Sequence, residues 1–331
     1  MEIAAFTGRC RRSTISDKLR HAQEVALLNN SWKSLVWSVM ALAVLLSVPT
    51  PLNAITLFLL MTPLVVLFTM LKPLAFAGHA AAIGAAAFIL SGSAGPLALT
   101  LLIFFLVPSI VMGYLYKKRR KARTVILSGF IVLLAQLLIE LVLFSLQFRI
   151  DLAAELASLL KTSLMQFETG GMFPAGWAAD TATELGEAIV TMLPLLLILS
   201  SFLFTIVTHG LTRLALKRGG IEIPGLPQAK TWRLPRSLVW YYLIALVVSF
   251  AVPEKGTGYW TVVTANLVPL LQYAFTVQAI GFFFFLADAK KWSKGVPVLI
   301  SVLLVLFTPI FPFYLIGLLD AAFPLRRYFV K

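Results

Sequence analysis

Acidic side chains, cysteine and histidine are all scarce in this chain. It has 14 Asp and Glu against 28 Lys and Arg, one cysteine, and three histidines. The single Cys10 has no intrachain partner, which excludes an internal disulfide. His21, His79 and His209 belong to no His-Glu-x-x-His pattern and no Cys-His cluster, so no metal site has a local signature. His79 and His209 read as ordinary residues at a membrane boundary. There is no P-loop, no glycine-rich dinucleotide fingerprint and no Gly-x-Ser-x-Gly elbow, which sets aside an ATPase, a dehydrogenase and a serine hydrolase. No cofactor is expected, and any ATP would have to be bound by another subunit. A paired general acid and base is not visible either, so the chain is not expected to be an enzyme.

What is abundant is apolar sequence: 60% of the residues are hydrophobic and only 13% are charged. That balance lies outside the range of soluble domains. Apolar stretches recur from Leu35 to Leu319, each near the length of about 20 residues that an α-helix needs to cross a bilayer. The expectation is an all-α, polytopic transmembrane helix bundle of about nine spans, within a range of roughly eight to ten. A basic arm at 1–33 precedes a single membrane domain at 34–326, and 327–331 form a tail.

The net charge of +14 arises from basic residues gathered in loops on one side. This is the positive-inside pattern, and it accounts for the charge without nucleic acid. Lys117-Lys118-Arg119-Arg120-Lys121-Ala122-Arg123 is the strongest cytoplasmic marker. The protein is therefore expected in a bacterial cytoplasmic membrane with its N-terminus inside, its cations meeting anionic lipid headgroups. Protein partners reached through the basic loops, and a small-molecule ligand, complete the expected partner classes. Arg9, Arg11, Arg12, Lys18, Arg20 and Lys33 interrupt the first 33 residues, so a cleavable signal peptide is not expected.

Within the membrane domain, the span from Leu74 to Leu90 is built from small residues. Ala77, Ala81 and Ala85 share one stripe and Ala80 and Gly84 the next, which predicts a central, closely packed helix. The segment at 149–183 is rich in acid and is expected outside. In it Leu152, Leu156, Leu159, Leu160 and Leu164 recur at helical spacing behind an Asp151 N-cap, the pattern of an amphipathic helix. Thr181-Ala182-Thr183-Glu184 has capping-box spacing and predicts the start of one long helix reaching Leu216. The last apolar stretch, interrupted by Pro309 and Pro312, reads either as one kinked helix leaving Arg326, Arg327 and Lys331 outside or as a bent hairpin returning them inside.

Few polar residues interrupt the apolar segments. Glu140 is flanked by Leu137, Leu138, Leu141 and Val142, and an acid in such a setting is costly unless paired, protonated or wet. Gln136 lies one turn before it. Together with Asn266, Gln272 and Tyr273 these make up the candidate ligand-binding residues of a polar cavity, although helical geometry aligns only Asn266 and Tyr273 closely. The opposing reading is interhelical hydrogen bonding, with Gln278 also a packing residue. Asp320 closes the last apolar run and pairs with Arg326 or Arg327 as a helix-end anchor in this reading.

The run Leu238-Val239-Trp240-Tyr241-Tyr242-Leu243-Ile244-Ala245-Leu246, then Asn266-Leu267-Val268-Pro269-Leu270-Leu271-Gln272, carries a resemblance. So do Gln278-Ala279-Ile280-Gly281-Phe282, Lys290-Lys291-Trp292, and Gly317-Leu318-Leu319-Asp320 with Phe323 and Arg326. The chain resembles the YybS-like family of bacterial integral membrane proteins over these stretches. Val111-Met112-Gly113-Tyr114-Leu115-Tyr116 is similar to the same family's fourth span. The likeness implies a multi-span architecture similar to the membrane-embedded substrate-binding components of energy-coupling-factor vitamin transporters, and more loosely to a cell-shape protein of the MreD type. Two functions follow as expectations: a small-molecule binding or transport component energised by partner proteins, or a scaffold that organises envelope or division proteins. Likeness of fold alone does not choose between them.

Overall fold

The computed structural model describes residues 32–148, 151–252, 258–293, 295–307 and 311–329. Nearly all of the basic arm, with Cys10 and His21, lies outside the described residues, as do Pro309 and the last two residues of the tail. Among the described residues the secondary structure is helical, with no strand. In chain order the α-helices are α1 (Trp32–Leu46), α2 (Asn53–Met70), α3 (Pro73–Leu90), α4 (Gly95–Lys117), α5 (Ala122–Phe148) and α6 (Leu152–Thr169). They continue as α7 (Trp177–Thr191), α8 (Leu193–Arg218), α9 (Ser237–Ala251), α10 (Tyr259–Ala289), α11 (Gly295–Phe307) and α12 (Tyr314–Ala322).

Five helices are long and apolar enough to cross a membrane: Pro73–Leu90, Gly92–Lys117, Ala122–Leu143, Leu193–Arg218 and Tyr259–Ala289. Trp32–Leu46, Ile55–Met70, Ser237–Ala251 and Gly295–Phe307 are apolar but shorter. Large apolar side chains such as Leu74, Ile89, Leu146, Val247 and Phe250 are exposed. In water such a surface would associate, whereas in hydrocarbon it is matched to its solvent. This is a multi-pass, all-helical membrane protein.

The chain divides into two compact units, Met1–Leu137 with Ser201–Gly225, and Leu138–Ser200 with Leu226–Lys331. In the first, α2 packs on α4 where Gly113 lets the backbone approach the Phe68 ring; a Cβ on Gly113 would stand 2.7 Å from that side chain. Membrane helices gain from such close approach because apolar contact with lipid is no worse than apolar contact with protein. α3 meets α4 through Gly84, against Leu99 and Leu102. Within its own unit α3 is not central, contrary to the expectation from its small residues. Phe76, Ala80, Ile83, Gly84 and Ala87 are buried, but the Ala77, Ala81 and Ala85 stripe is exposed. One face of alanines suffices to dock a helix, and the second face of small residues is left over.

The basic residues of this unit gather at one end. Lys117 at the close of α4 donates to the Leu71 carbonyl at the close of α2, 2.6 Å away. Its ammonium lies 4.4 Å from the centre of the Phe68 ring, a cation–π contact at that same end.

In the second unit α6 and α7 form an acidic hairpin. Asp151 caps α6 by accepting from the amides of Ala153 and Ala154 at 3.0 and 3.2 Å, as its spacing predicts. Glu168 near the other end of α6 accepts from the Ala178 and Gly176 amides at 2.8 and 2.9 Å. Those two donors, Ala178 first, hold its carboxyl below the ordinary glutamate value. Gly176 has φ +89°, a left-handed turn for which glycine is suited, and α7 begins right after it. The long helix expected from Thr181 is thus two helices. Thr181 sits inside α7, and the chain breaks at Met192 ahead of Pro194, whose ring removes an amide donor. Asn266 of α10 bridges that break, accepting from Leu195 N at 2.8 Å and donating to Thr191 O at 2.8 Å.

Further along α10, Gly317 of α12 lies against the Phe275 carbonyl so closely that any Cβ would overlap it. α12 runs alongside α10 toward Asp288, and Arg326 donates to the Lys230 carbonyl at 2.7 Å. The C-terminal arginines therefore rejoin the basic loop of this unit, the outcome of the bent arrangement. With nine residues, α12 rises only about 13 Å and falls short of a bilayer core.

Candidate functional site

Of the residues proposed for a polar cavity, Gln136 belongs to the first unit and Glu140, Asn266, Gln272 and Tyr273 to the second. Glu140 is exposed among exposed Leu138, Ile139, Val142 and Leu143, and it has no hydrogen-bond or ion-pair partner among the described residues. Gln136 donates to the Phe104 carbonyl at 3.2 Å, and its Oε1 is buried without a protein partner. Asn266 splints the α7–α8 break. Gln272 reaches the Tyr242 hydroxyl at 3.5 Å, and that hydroxyl donates to Tyr314 at 3.2 Å. Tyr273 is half-buried.

Asp320 and Arg326 do meet. The Arg326 Nη2 lies 2.7 Å from Asp320 Oδ2, both side chains are buried, and Nε is 3.1 Å from each carboxylate oxygen. Arg326 also donates to the Trp232 carbonyl at 2.9 Å, while Gln278 donates to Asp320 and accepts from the Leu234 amide at 2.8 Å. Every strong donor in this cluster has an acceptor, which is the condition for a buried ion pair to be tolerated.

A different set of polar residues is buried and unsatisfied. On α8, Ser201, Thr205, Thr208 and Thr212 are each 0% exposed. Their spacing of four, three and four residues places them on one face of the helix. The stripe extends about 16 Å along the helix axis. Only Thr205 is satisfied, by the Ser201 and Phe202 carbonyls at 2.8 and 3.0 Å. The hydroxyls of Ser201, Thr208 and Thr212 are buried with no hydrogen-bond partner among the described residues. His209 lies beside them, 3% exposed, with Nδ1 2.6 Å from the Tyr116 hydroxyl of α4 and Nε2 unpartnered. Whichever ring nitrogen carries the proton, one of the two lacks a protein partner. α4 adds Ser109, seven residues before Tyr116 and so on the same face, fully buried with its hydroxyl free. α2 adds Thr62, buried and likewise unpartnered.

A buried hydroxyl with no partner costs about 1–3 kcal/mol, and the stripe gathers several on one helix face. The stripe offers donors and acceptors without fixed charge, suited to passing or holding a small polar species. The sequence contains its signal, Ser-x-x-x-Thr-x-x-Thr-x-x-x-Thr within an apolar helix, but hydropathy averages hydroxyls away. Among the described residues no group of three or more His, Cys, Asp or Glu is placed to hold a metal ion.

A family model described as a predicted membrane protein (DUF2232) matches residues 38–321. The chain is also 25% identical over 227 residues to the uncharacterized protein YybS of Bacillus subtilis strain 168, covering 66% of this chain and 72% of that relative. No solved structure matches it. The family model spans α2 to α11 in full and takes in α4 with Tyr116, α8 with its polar stripe and Asp320, so the chain belongs to the DUF2232 family of predicted membrane proteins.

Proposed function

We propose that this protein is a membrane-embedded component that binds or passes a small polar solute, energised by partner proteins, in a bacterial cytoplasmic membrane. The observation that carries the reading is the stripe on α8 of buried hydroxyls at Ser201, Thr208 and Thr212, with Nε2 of His209 beside them, none of which has a hydrogen-bond partner among the described residues. Polar groups inside a membrane bundle are costly, and they mark pathways for ions, protons and substrates. In this reading the basic loops face the cytoplasm. α1 to α5 and α8 to α10 then cross fully, α6 and α7 lie outside, and α11 and α12 enter and return to the basic side. The shorter helices are accommodated by local thinning of the bilayer.

A scaffold is the second reading, favoured by the exposed and unpartnered Glu140 on an apolar surface, where a partner helix would supply a donor. The two readings differ in whether the α8 stripe meets water. With Cys10 replaced by serine, single cysteines at 201, 208 and 212 in proteoliposomes react with a small water-soluble thiol reagent if the stripe is a pathway. Cysteines at the exposed positions of Leu203 and Leu214, facing lipid, do not. Equal inertness at both sets would remove the transport reading and leave the scaffold.

A further inference from the structure

The second unit carries a cavity of about 130 Å³ beside the Asp320–Arg326 pair, and its wall is unusually cationic. Arg233, Arg236 and Arg327 line it along with Arg326, Asp320 and Gln278. The single acid there is already neutralised: Asp320 is held by Arg326 at 2.7 Å and receives a further hydrogen bond from Gln278. Arg326 is in turn occupied, because Nε, Nη1 and Nη2 all donate to protein acceptors. It forms a fixed wall.

Arg233, Arg236 and Arg327 are in the opposite condition. All three are exposed at the cavity, and none has a hydrogen-bond or ion-pair partner among the described residues. Three like charges around so small a space repel one another, and an anion between them would relieve that repulsion. α9 begins at Ser237, immediately after Arg236, so the positive end of its dipole adds to the same field. A guanidinium presents paired N–H groups that match a planar or tetrahedral oxyanion, whereas a general attraction to the membrane surface needs only charge. Scattered loop cations would satisfy the positive-inside rule equally well. Their convergence on one walled cavity is what that rule does not require.

We propose that this cavity is a phosphate-binding site, taking the phosphate of either an anionic lipid headgroup or a soluble phosphoester. The inference is independent of the transport reading, since none of its residues belongs to the α8 stripe. The full chain in neutral detergent is titrated with radiolabelled inorganic phosphate. In parallel, the chain in phosphatidylcholine nanodiscs is titrated with phosphatidylglycerol. Saturable binding of at least one probe is expected, phosphate pointing to a soluble ligand and phosphatidylglycerol alone to a lipid headgroup. Arg236→Lys with Arg327→Lys keeps the charge but removes the fork, and weakens binding about tenfold or more. Arg327→Lys alone serves if the double variant does not fold. Lys290→Gln with Lys291→Gln, which removes two charges elsewhere in the basic loops, leaves binding unchanged. The proposal is overturned if neither probe binds saturably, or if the Lys290 and Lys291 control weakens binding as much as the changes in the cavity.

Discussion

The Tyr116 hydroxyl of α4 lies 2.6 Å from Nδ1 of His209 on α8, joining two helices whose contacting residues are 93 positions apart. Among the described residues this is the one hydrogen bond His209 makes. Tyr116→Phe is expected to leave both imidazole nitrogens unpartnered and to cost about 1–3 kcal/mol. Unfolding in detergent measures it. His209→Leu should cancel part of that cost in the double variant, giving a coupling well short of additivity.

The Asp320–Arg326 pair predicts a sharper asymmetry. Removing one partner, as in Asp320→Leu or Arg326→Met, leaves a buried charge uncompensated and is expected to cost about 3–5 kcal/mol. The double variant should be more stable than either single one. A double variant as damaged as the sum of both would mean that the bonds from Arg326 to the Lys230 and Trp232 carbonyls matter more than the pair.

Glu168 makes the acidic hairpin sensitive to pH. Its carboxyl is held below the ordinary value of 4.5 by the Ala178 and Gly176 amides. A group whose folded value is lowered contributes stability that is complete above its unfolded value and is lost as pH falls through the folded one. Protection of the Gly176 and Ala178 amides, measured as exchange relative to their slowing intrinsic rates, should therefore fall as pH drops below about 4.5, and Glu168→Gln should show no such transition.

Two glycines should respond in opposite ways to alanine. At Gly317 a Cβ meets the Phe275 backbone, which cannot move aside as a side chain can, and the expected loss is about 3 kcal/mol or more. At Gly210, within α8, a Cβ would meet nothing within 4 Å. Gly210→Ala should stabilise by about 0.5–1 kcal/mol, through backbone entropy alone. Thermal midpoints of the two variants on opposite sides of wild type would bear this out.

Much of the architecture was legible in the sequence because a helix in lipid must satisfy its own backbone, so apolar run length translates directly into helix limits. α4, α9 and α10 begin and end within a few residues of where the hydropathy changes, and Asp151 announces α6. The break between α7 and α8 was hidden because Pro194 interrupts a run whose polarity does not change. α3 misled for another reason: small residues permit close approach on every face, and composition does not say which face is used. The candidate site was the least legible part. Glu140 draws attention by its charge, yet cost in the membrane depends on depth and on partners, neither of which is a property of one residue. The hydroxyls of α8 look innocuous singly, and only their shared face and their missing partners set them apart. Arg326 lies 96 and 94 residues from the carbonyls of Lys230 and Trp232 that receive it, a distance no local pattern spans.

The amide of Asn266 takes both backbone groups that the interruption at Met192 sets loose, Thr191 O on one side and Leu195 N on the other. A single side chain thus acts as the hinge pin of the joint between the acidic hairpin and α8, and that pin is anchored in α10. Asn266→Leu would therefore strip a donor and an acceptor from the same joint at once, leaving Thr191 O and Leu195 N to find other partners.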